Sequence, residues 1–222
     1  MELPHWQACE APDYDMIMAE RCAVLAARIR TDSPFRLALL ADPRDCHRDL
    51  FQSLTPPDHP EYAGTVRGTP GTTLEHRPIH APCIMDTTRH FAFAAPDLVP
   101  AKLAELLATL DREREEARGA ERYVQLLYLT HLFAWFGAIH PFLDGNGHLQ
   151  RALFAAAAAE LSIPLSTRFA LHPRSFDRLL ALQLEIFTRS NGPQSQLAAI
   201  AEYLAFWLAG PFDMPGSGIP DS

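Results

Sequence analysis

Apolar residues recur at helical spacing along most of the chain. The first such run has spacings of four, three and four: Met18, Cys22, Leu25 and Ile29. This pattern puts the four side chains on one face and predicts a helix over residues 13–31. Pro34 then interrupts the pattern. A second, short helix is predicted over residues 45–54, because Pro56 and Pro57 prevent its continuation.

Five further apolar runs predict helices in the second half of the chain. They span residues 98–117, 121–139, 147–161, 175–188 and 194–209. The run over 121–139 is rich in Leu, Phe, Trp and Tyr, so we expect it to be the central helix, nearly surrounded by protein. Gly210 and Pro211 stop the last helix. The tail that follows them is expected to fray.

The residue composition changes between Pro56 and Pro100. The stretch TVRGTPGTTLEHRPIHAPCIM mixes β-branched residues with Gly and Pro, a composition that suits short extended pieces and turns better than a helix. We predict a small hairpin there. The fold predicted from the pattern is therefore mainly helical, with one short β element.

Composition indicates an ordinary globular protein. Of the 222 residues, 48% are hydrophobic and 21% are charged, which excludes a fully disordered or fibrous chain. The length fits one domain, or one domain with a small extension. Because 27 acidic residues stand against 19 basic ones, the formal net charge is −8. Binding to nucleic acid is therefore not expected, and any anion site must be local.

Neither cysteines, histidines nor apolar runs point to a metal centre, export or a membrane. Four scattered cysteines show no CxxC pair and no zinc spacing: Cys9, Cys22, Cys46 and Cys83. Four histidines match no recurrent metal motif: His59, His76, His80 and His90. The N-terminus is unlike a signal peptide, and the longest apolar run, 153–161, is too short to span a bilayer. We expect a soluble, cytoplasmic protein without a membrane partner.

One segment, residues 140–151 (HPFLDGNGHLQR), carries candidate chemistry. It lies where one predicted helix ends and the next begins. Gly145 and Gly147 allow successive N–H groups to point into one concavity, and the following helix adds its first-turn donors and the positive end of its dipole. Such a place binds phosphate. Arg151, one turn further along the helix, can grip another phosphate.

Two further residue types in this segment suit a reaction at a phosphate. Asp144 offers a carboxylate for Mg²⁺, which usually binds through one or two carboxylates together with substrate phosphates. His140 is the natural general base, because its ordinary pKa lies near neutrality. A plainer reading stays open: Asp144 can be a helix-capping residue and Asn146 a turn former.

The segment resembles the signature of the Fic (Fic/Doc) family, HPFx(D/E)GN(G/K)RxxR, at every position except 148. The resemblance continues upstream, where residues 63–67 (AGTVR) resemble the family's AG-x-x-R element. Residues 71–82 (GTTLEHRPIHAP) would then form the flap hairpin. The resemblance implies an all-α, Fic-type helical bundle with a small β-hairpin flap. It covers about residues 40–210, which leaves 1–39 as an N-terminal helical extension and 211–222 as a flexible tail.

The resemblance implies a protein nucleotidyltransferase that moves AMP from ATP to a Tyr, Thr or Ser hydroxyl of a target protein. His140 would be the base, and Asp144 would hold Mg²⁺. The donor's phosphates would be bound by the remaining motif positions: Gly145, Asn146, Gly147, His148 and Arg151. The target protein is expected at the flap, about residues 66–80. Delivery of the protein as an effector is compatible with this class.

Two departures from the family pattern keep alternatives open. His148 stands where the family has an arginine, and a neutral imidazole offers fewer donors and no charge. The alternatives are transfer of another phosphate-linked group, such as UMP or phosphocholine, and a catalytically weak interaction module with the Fic fold. The family's inhibitory (S/T)xxxE(G/N) motif has one partial match, Thr109–Glu113, followed by Arg114. We interpret it as a charged helix end, so that any restraint would come from a separate, antitoxin-like inhibitory protein.

Overall fold

Eight α-helices and one two-stranded sheet form the computed structural model, which describes residues 4–173 and 177–210. The helices are α1 (Tyr14–Thr31), α2 (Ser33–Ala41), α3 (Arg44–Phe51), α4 (Val99–Gly119), α5 (Arg122–Ile139), α6 (Asn146–Glu160), α7 (Arg178–Arg189) and α8 (Gln194–Ala205). The strands are β1 (His80–Pro82) and β2 (His90–Ala92). The predicted all-α bundle with a small hairpin is confirmed.

Helix α5 lies at the centre of the bundle, as its apolar composition predicts. Helices α4, α6, α7 and α8 all pack against it, and α1 and α2 pack against α6. The α5–α6 contact is close at Gly137, where a Cβ atom would lie 2.5 Å from Gln150 Nε2. Gln150 Nε2 in turn donates a 2.6 Å hydrogen bond to the Phe133 carbonyl. This contact fixes the crossing of the two helices that flank the 140–151 segment.

Helix α2 was not predicted, because Pro34 was interpreted as a stop. Proline is tolerated in a first helical turn, where no intrahelical acceptor exists for its missing N–H. Here Asp32 caps α2 by accepting a 3.0 Å hydrogen bond from the Phe35 N–H. The helix then spans residues 33–41.

The N-terminal helices are tied to α6 by a buried carboxylate. Glu160, at the end of α6, accepts hydrogen bonds from Arg36 Nε (2.6 Å) and Ser33 Oγ (3.0 Å). Burial raises the pKa of Glu160, but the bonds from Arg36 and Ser33 outweigh it and hold the pKa below its ordinary value. The extension and the helices of the 140–151 segment therefore share one packed structure.

The hairpin lies between Pro56 and Pro100, as predicted, but only the last three residues of the expected flap segment, 71–82, are paired. Its strands pair antiparallel, with His80 opposite Ala92 and Pro82 opposite His90. Residues 66–79, expected to belong to the flap, form turns and irregular backbone and no strand. Gly71 has φ +74° in this stretch, which interrupts an extended strand.

The remaining helix ends lie close to the predicted ones, with α8 ending at Ala205 and not at residue 209. The expected start of α7 at residue 175 and the expected flexible tail, 211–222, fall outside the described residues. Within 4–173 and 177–210, no helix is long and apolar enough to cross a membrane.

Candidate active site

The segment between α5 and α6 is a closed turn. The Asn146 side chain bonds both backbone groups of Phe142: its Oδ1 accepts from the Phe142 N–H at 2.9 Å, and its Nδ2 donates to the Phe142 carbonyl at 2.8 Å. The Phe142 ring is fully buried. Asn146 is 3% exposed, so its side chain shapes the turn from within. The ends of the turn are thereby held in a fixed relation to each other.

His140 begins the turn in the left-handed conformation, with φ 52° and ψ 62°. Its imidazole stacks on Phe93, the residue after β2, with ring centroids 3.8 Å apart and an interplanar angle of 16°. Its Nδ1 lies 3.3 Å from the Gly137 carbonyl. A proton on Nδ1, donated to that carbonyl, makes Nε2 the basic nitrogen. This tautomer suits a general base.

Asp144 lies at the other end of the turn and is half-buried. Its Oδ1 accepts from the Gly145 N–H and its Oδ2 from the Ala8 N–H, both at 2.7 Å. The described residues hold no group of three or more His, Cys, Asp or Glu side chains suited to a metal. A single carboxylate beside an anion site fits Mg²⁺, because substrate phosphates and water supply the other ligands.

Gly145 makes the sharp entry into α6. It has φ +77°, and a Cβ atom there would lie 2.5 Å from Phe51 Cε2, so both the backbone and the packing require glycine. Helix α6 starts at the next residue. The N–H groups of Asn146 and Gly147 therefore have no intrahelical acceptor four residues earlier. They lie at the positive end of the helix dipole, where an anion is favoured.

A cavity of about 420 Å³ opens beside this first turn of α6. Gly147, His148 and Arg151 line it from α6, and Tyr14 and His172 line it from other parts of the chain. The size and the polar lining suit part of a nucleotide.

Arg151 and His148, the two remaining motif side chains, both contact neighbouring residues, and of these neighbours His172 also lines the cavity. Arg151 donates from Nη1 to the Ala170 carbonyl at 3.1 Å, and its guanidinium carbon lies 4.3 Å from the centre of the Trp207 ring. His148, 2% exposed, has its Nε2 3.3 Å from His172 Nδ1. The position that holds arginine in the family signature is thus occupied here by one member of a histidine pair.

A model of the Fic/DOC family matches residues 40–158, more than half of the 222-residue chain. The chain belongs to the Fic/DOC family. Among solved structures, it is similar to the N-terminal Fic domain of a VirB-translocated Bep effector protein from Bartonella quintana, with a TM-score of 0.52 and 19% identity. That match covers 83% of this chain and 81% of the Bartonella chain, and it shows a common fold. Comparison with the curated proteins gives no match.

The Fic motif residues form the turn and the start of α6, and their side chains contact three different parts of the structure. His140 faces the hairpin side through Phe93. Asp144 faces the N-terminal segment through Ala8. Gly147, His148 and Arg151 share the cavity beside α6. Gly145 and Asn146 shape the turn that joins these residues.

His47 is a supporting residue to which the sequence analysis gave no role. It is fully buried and stacks on Phe142, with centroids 3.9 Å apart. Its Nδ1 accepts from the Gly64 N–H at 2.8 Å, so Nε2 carries the proton and donates to the Asp144 carbonyl at 3.0 Å. Burial lowers the pKa of His47 to about 4. His47 is therefore a neutral, buried residue that supports the turn between α5 and α6, residues 140–146, which we call the Fic turn.

Three more contributors were missed: Ala8, Arg67 and His172. Ala8 acts through its main chain, which no sequence pattern marks. Arg67 is fully buried and donates to the His140 carbonyl. It belongs to the AG-x-x-R element, the one signal that could have identified it.

The partial inhibitory motif lies elsewhere in the structure. Thr109 and Glu113 are on α4 and line two cavities near His131, whereas the cavity beside the Fic turn is lined by residues of α1, α5, α6 and the region near α7. Burial lowers the pKa of His131, as expected for a neutral histidine among apolar side chains.

Proposed function

We propose that this Fic/DOC protein transfers AMP from ATP to a Tyr, Thr or Ser hydroxyl of a target protein. The observation that carries the proposal is the Fic turn itself. It places an imidazole, His140, before a glycine-capped helix start, Gly145–Gly147, and closes both into one rigid unit through Asn146. A base and an anion site held in fixed relation are what a phosphoryl-type transfer needs, since its catalysis is mainly positioning and charge stabilisation.

In the proposed reaction, His140 Nε2 accepts the proton of the target hydroxyl while that oxygen attacks the α-phosphorus of ATP. The new bond joins the target oxygen to the α-phosphorus. The bond from the α-phosphorus to the bridging oxygen breaks, and pyrophosphate leaves with the electron pair. A positioned base of this kind contributes about 10²–10⁴-fold to the rate.

The donor's phosphates would lie at the start of α6. The N–H groups of Asn146 and Gly147 would donate to phosphate oxygens, and Arg151 would support the same face of the cavity. Asp144 would hold Mg²⁺, which when bound neutralises negative charge on the phosphates. The two 2.7 Å hydrogen bonds to Asp144 support this role, because they fix its orientation.

The target would bind along the hairpin. Two three-residue strands present backbone groups at their outer edges, and an extended peptide can add to such an edge whatever its sequence. Phe93 follows β2 and stacks on His140. This contact would place a hydroxyl on the bound peptide near the base. Residues 66–79, which form turns and irregular backbone, would support the hairpin and not pair with the target.

The histidine pair favours a second candidate, transfer of phosphocholine, whereas transfer of UMP stays an alternative that this contact does not favour over AMP. His148 and His172 contact each other, with Nε2 and Nδ1 3.3 Å apart, and an imidazole offers fewer hydrogen-bond donors to a triphosphate tail than a guanidinium does. CDP-choline would suit this side of the cavity, because its leaving group, CMP, carries less negative charge than the pyrophosphate released from ATP or UTP. We also propose that inhibition, where it occurs, comes from a separate protein, because Thr109 and Glu113 line other cavities.

A mass-shift experiment tests the proposal. Purified protein is incubated with cell lysate and Mg²⁺ in parallel with ATP, UTP or CDP-choline, and labelled proteins are identified by mass spectrometry. We expect an AMP adduct on hydroxyl side chains that is lost in the His140→Ala variant. A phosphocholine adduct identifies the second candidate, and a UMP adduct identifies the remaining alternative. Equal labelling by His140→Ala, or no labelling with any donor, contradicts a transferase based on His140.

A further inference from the structure

Arg67 is a buried cation whose partners are all backbone carbonyls. It has no exposed surface. Its guanidinium donates to four carbonyl oxygens at 2.8–3.3 Å: those of Ile139, His140, Arg77 and Ala94. Its own N–H donates to the Pro141 carbonyl at 2.8 Å. One side chain therefore contacts three separate segments of the chain.

No carboxylate of the described residues lies within ion-pair distance of Arg67. Burial lowers the pKa of Arg67 to about 10, so it stays charged at neutral pH. Its charge is balanced by the carbonyls at the C-terminus of α5, which form the negative end of the helix dipole. Burying an ion without a counter-ion is costly. Such an arrangement indicates that its fixed geometry matters.

The carbonyls that Arg67 binds adjoin the two stacked rings. It bonds the carbonyl of His140 itself, and it bonds Ala94, the residue after Phe93. The rings of His140 and Phe93 are the ones that stack at 3.8 Å. The same guanidinium thus fixes the backbone on both sides of the contact between the base and the hairpin.

Both sides need such support. His140 has a left-handed backbone, with φ 52°, a conformation that is unfavourable for a residue other than glycine. The hairpin has only three paired residues in each strand, and an isolated two-stranded hairpin is marginal in water. The Ala94 N–H adds only one long bond, 3.4 Å, to the Ala138 carbonyl.

We infer that Arg67 is a positioning residue that holds the imidazole of His140 in register with the hairpin on which the target peptide would lie. The inference rests on the proposed function for its catalytic meaning. Its structural part, that the stacking of His140 on Phe93 depends on the Arg67 guanidinium, can be measured in the folded protein without any reaction.

Two variants test the role of the Arg67 guanidinium and of the stacked ring separately. Arg67→Lys keeps the charge, but an ammonium cannot reach four carbonyls on three segments. Phe93→Leu keeps every Arg67 hydrogen bond and removes only the ring partner. Leu110→Ala, a core change on α4, serves as the destabilised control, because its backbone lies beside Tyr128, about three turns from His140. Folding of each variant is checked by circular dichroism.

The first readout is the NMR signal of the His140 ring protons, which stacking on Phe93 shifts upfield in the wild-type protein. We expect Arg67→Lys and Phe93→Leu to lose this shift and Leu110→Ala to keep it. Retention of the shift in folded Arg67→Lys overturns the inference. Should Arg67→Lys fail to fold, the wild-type protein decides: the Arg67 Nε–H, which donates to the His140 carbonyl, should give a resolved NMR signal that exchanges slowly with water, and rapid exchange of this proton overturns the inference.

The second readout is transfer kinetics. We expect kcat to fall by about 10- to 100-fold in Arg67→Lys and Phe93→Leu, with the KM for the donor unchanged. A wild-type kcat in folded Arg67→Lys or in Phe93→Leu contradicts the positioning role. If the wild-type protein transfers nothing, the proposed function fails, and the NMR readout still decides whether Arg67 holds His140 against the hairpin.

Discussion

The main-chain N–H of Ala8 donates a 2.7 Å hydrogen bond to Asp144 Oδ2, across 136 positions of sequence. Ala8 lies in the N-terminal extension, outside the residues that match the family model. Asp144 is the residue proposed to hold magnesium. The extension is therefore part of the surroundings of the candidate active site, and the site cannot be described by the Fic motif alone.

Trp6 anchors this N-terminal segment. Its Nε1 donates to the Leu54 carbonyl at 2.7 Å, and its ring packs on Phe51 and Tyr62. Replacing it by alanine removes a buried aromatic side chain, so Trp6→Ala should lower the unfolding free energy by about 3–5 kcal/mol. Denaturant titration measures this loss, and faster hydrogen exchange of the Ala8 amide should accompany it.

Val24→Ala, at a position 58% exposed, is the control for Trp6→Ala and should change stability by less than about 0.5 kcal/mol. A similar effect of the two substitutions would contradict the anchor.

Gly145 and Gly71 form a matched pair for the entry to α6. Both have a positive φ, but a Cβ atom at 145 would meet Phe51, whereas at 71 nothing lies within 4 Å. Gly71→Ala should cost roughly 1–2 kcal/mol, the price of the left-handed backbone alone. Gly145→Ala should cost more in unfolding experiments and should also weaken ATP binding. Equal losses from both substitutions would show that Phe51 does not constrain the turn.

Helical periodicity was enough to predict the bundle, because α5 and α6 have long, strongly apolar patterns and the glycine-rich break between them is marked in the sequence. Helix α2 could not be predicted from Pro34, since a proline that stops one helix can also occupy the first turn of the next. The hairpin was predicted in the right stretch, but its paired residues were not, because Pro and Gly mark turns without indicating which flanking residues pair.

The surroundings of the motif could not be predicted from the sequence. His47, Arg67 and Ala8 each contact the Fic turn. The sequence separation between each of them and its partner in the turn is 97, 73 and 136 positions, respectively. Two of them act on backbone carbonyls and one through its own N–H. The contacts of His47 and Ala8 depend on the packing of distant segments, which leaves no local pattern in the sequence, and only Arg67 is marked there, by the AG-x-x-R element.

His47 should make stability depend on pH. Its pKa in the folded protein is about 4, against an ordinary value of 6.5. Between these values the unfolded chain binds more protons, so the unfolding free energy is complete above pH 6.5 and decreases as the pH falls toward 4. The expected loss is roughly 3 kcal/mol, at about 1.4 kcal/mol per pKa unit.

Denaturant titrations between pH 4 and 6.5 measure how the unfolding free energy changes with pH, and the slope is compared between the wild-type protein and two variants. His47→Phe removes the titrating ring and should lose this part of the pH dependence, although it is less stable overall. His76→Gln, at an exposed histidine, should keep the wild-type slope. Identical slopes for His47→Phe and the wild-type protein would refute a buried, neutral His47.

Glu185 ties the hairpin to α7. This buried carboxylate accepts from the Ile84 N–H at 2.7 Å and from Arg189 at 2.8 Å. Burial raises its pKa, but these hydrogen bonds outweigh it and hold the pKa below the ordinary value. Glu185→Ala should speed hydrogen exchange of the Ile84 amide and reduce transfer to a target, without changing donor affinity. Glu202→Ala, an exposed carboxylate on α8, should change neither. Unaltered exchange at Ile84 would rule out the anchoring role.

The most direct test of a nucleotidyl transfer based on His140 follows the phosphorus atom. ATP labelled at the α-phosphate and ATP labelled at the γ-phosphate are supplied with Mg²⁺ and a modified target, once one has been identified. We expect label from the α-phosphate alone to become covalently attached to a hydroxyl side chain, with the signal lost in His140→Ala. Attachment of the γ-label, or undiminished attachment of the α-label by His140→Ala, would contradict the account.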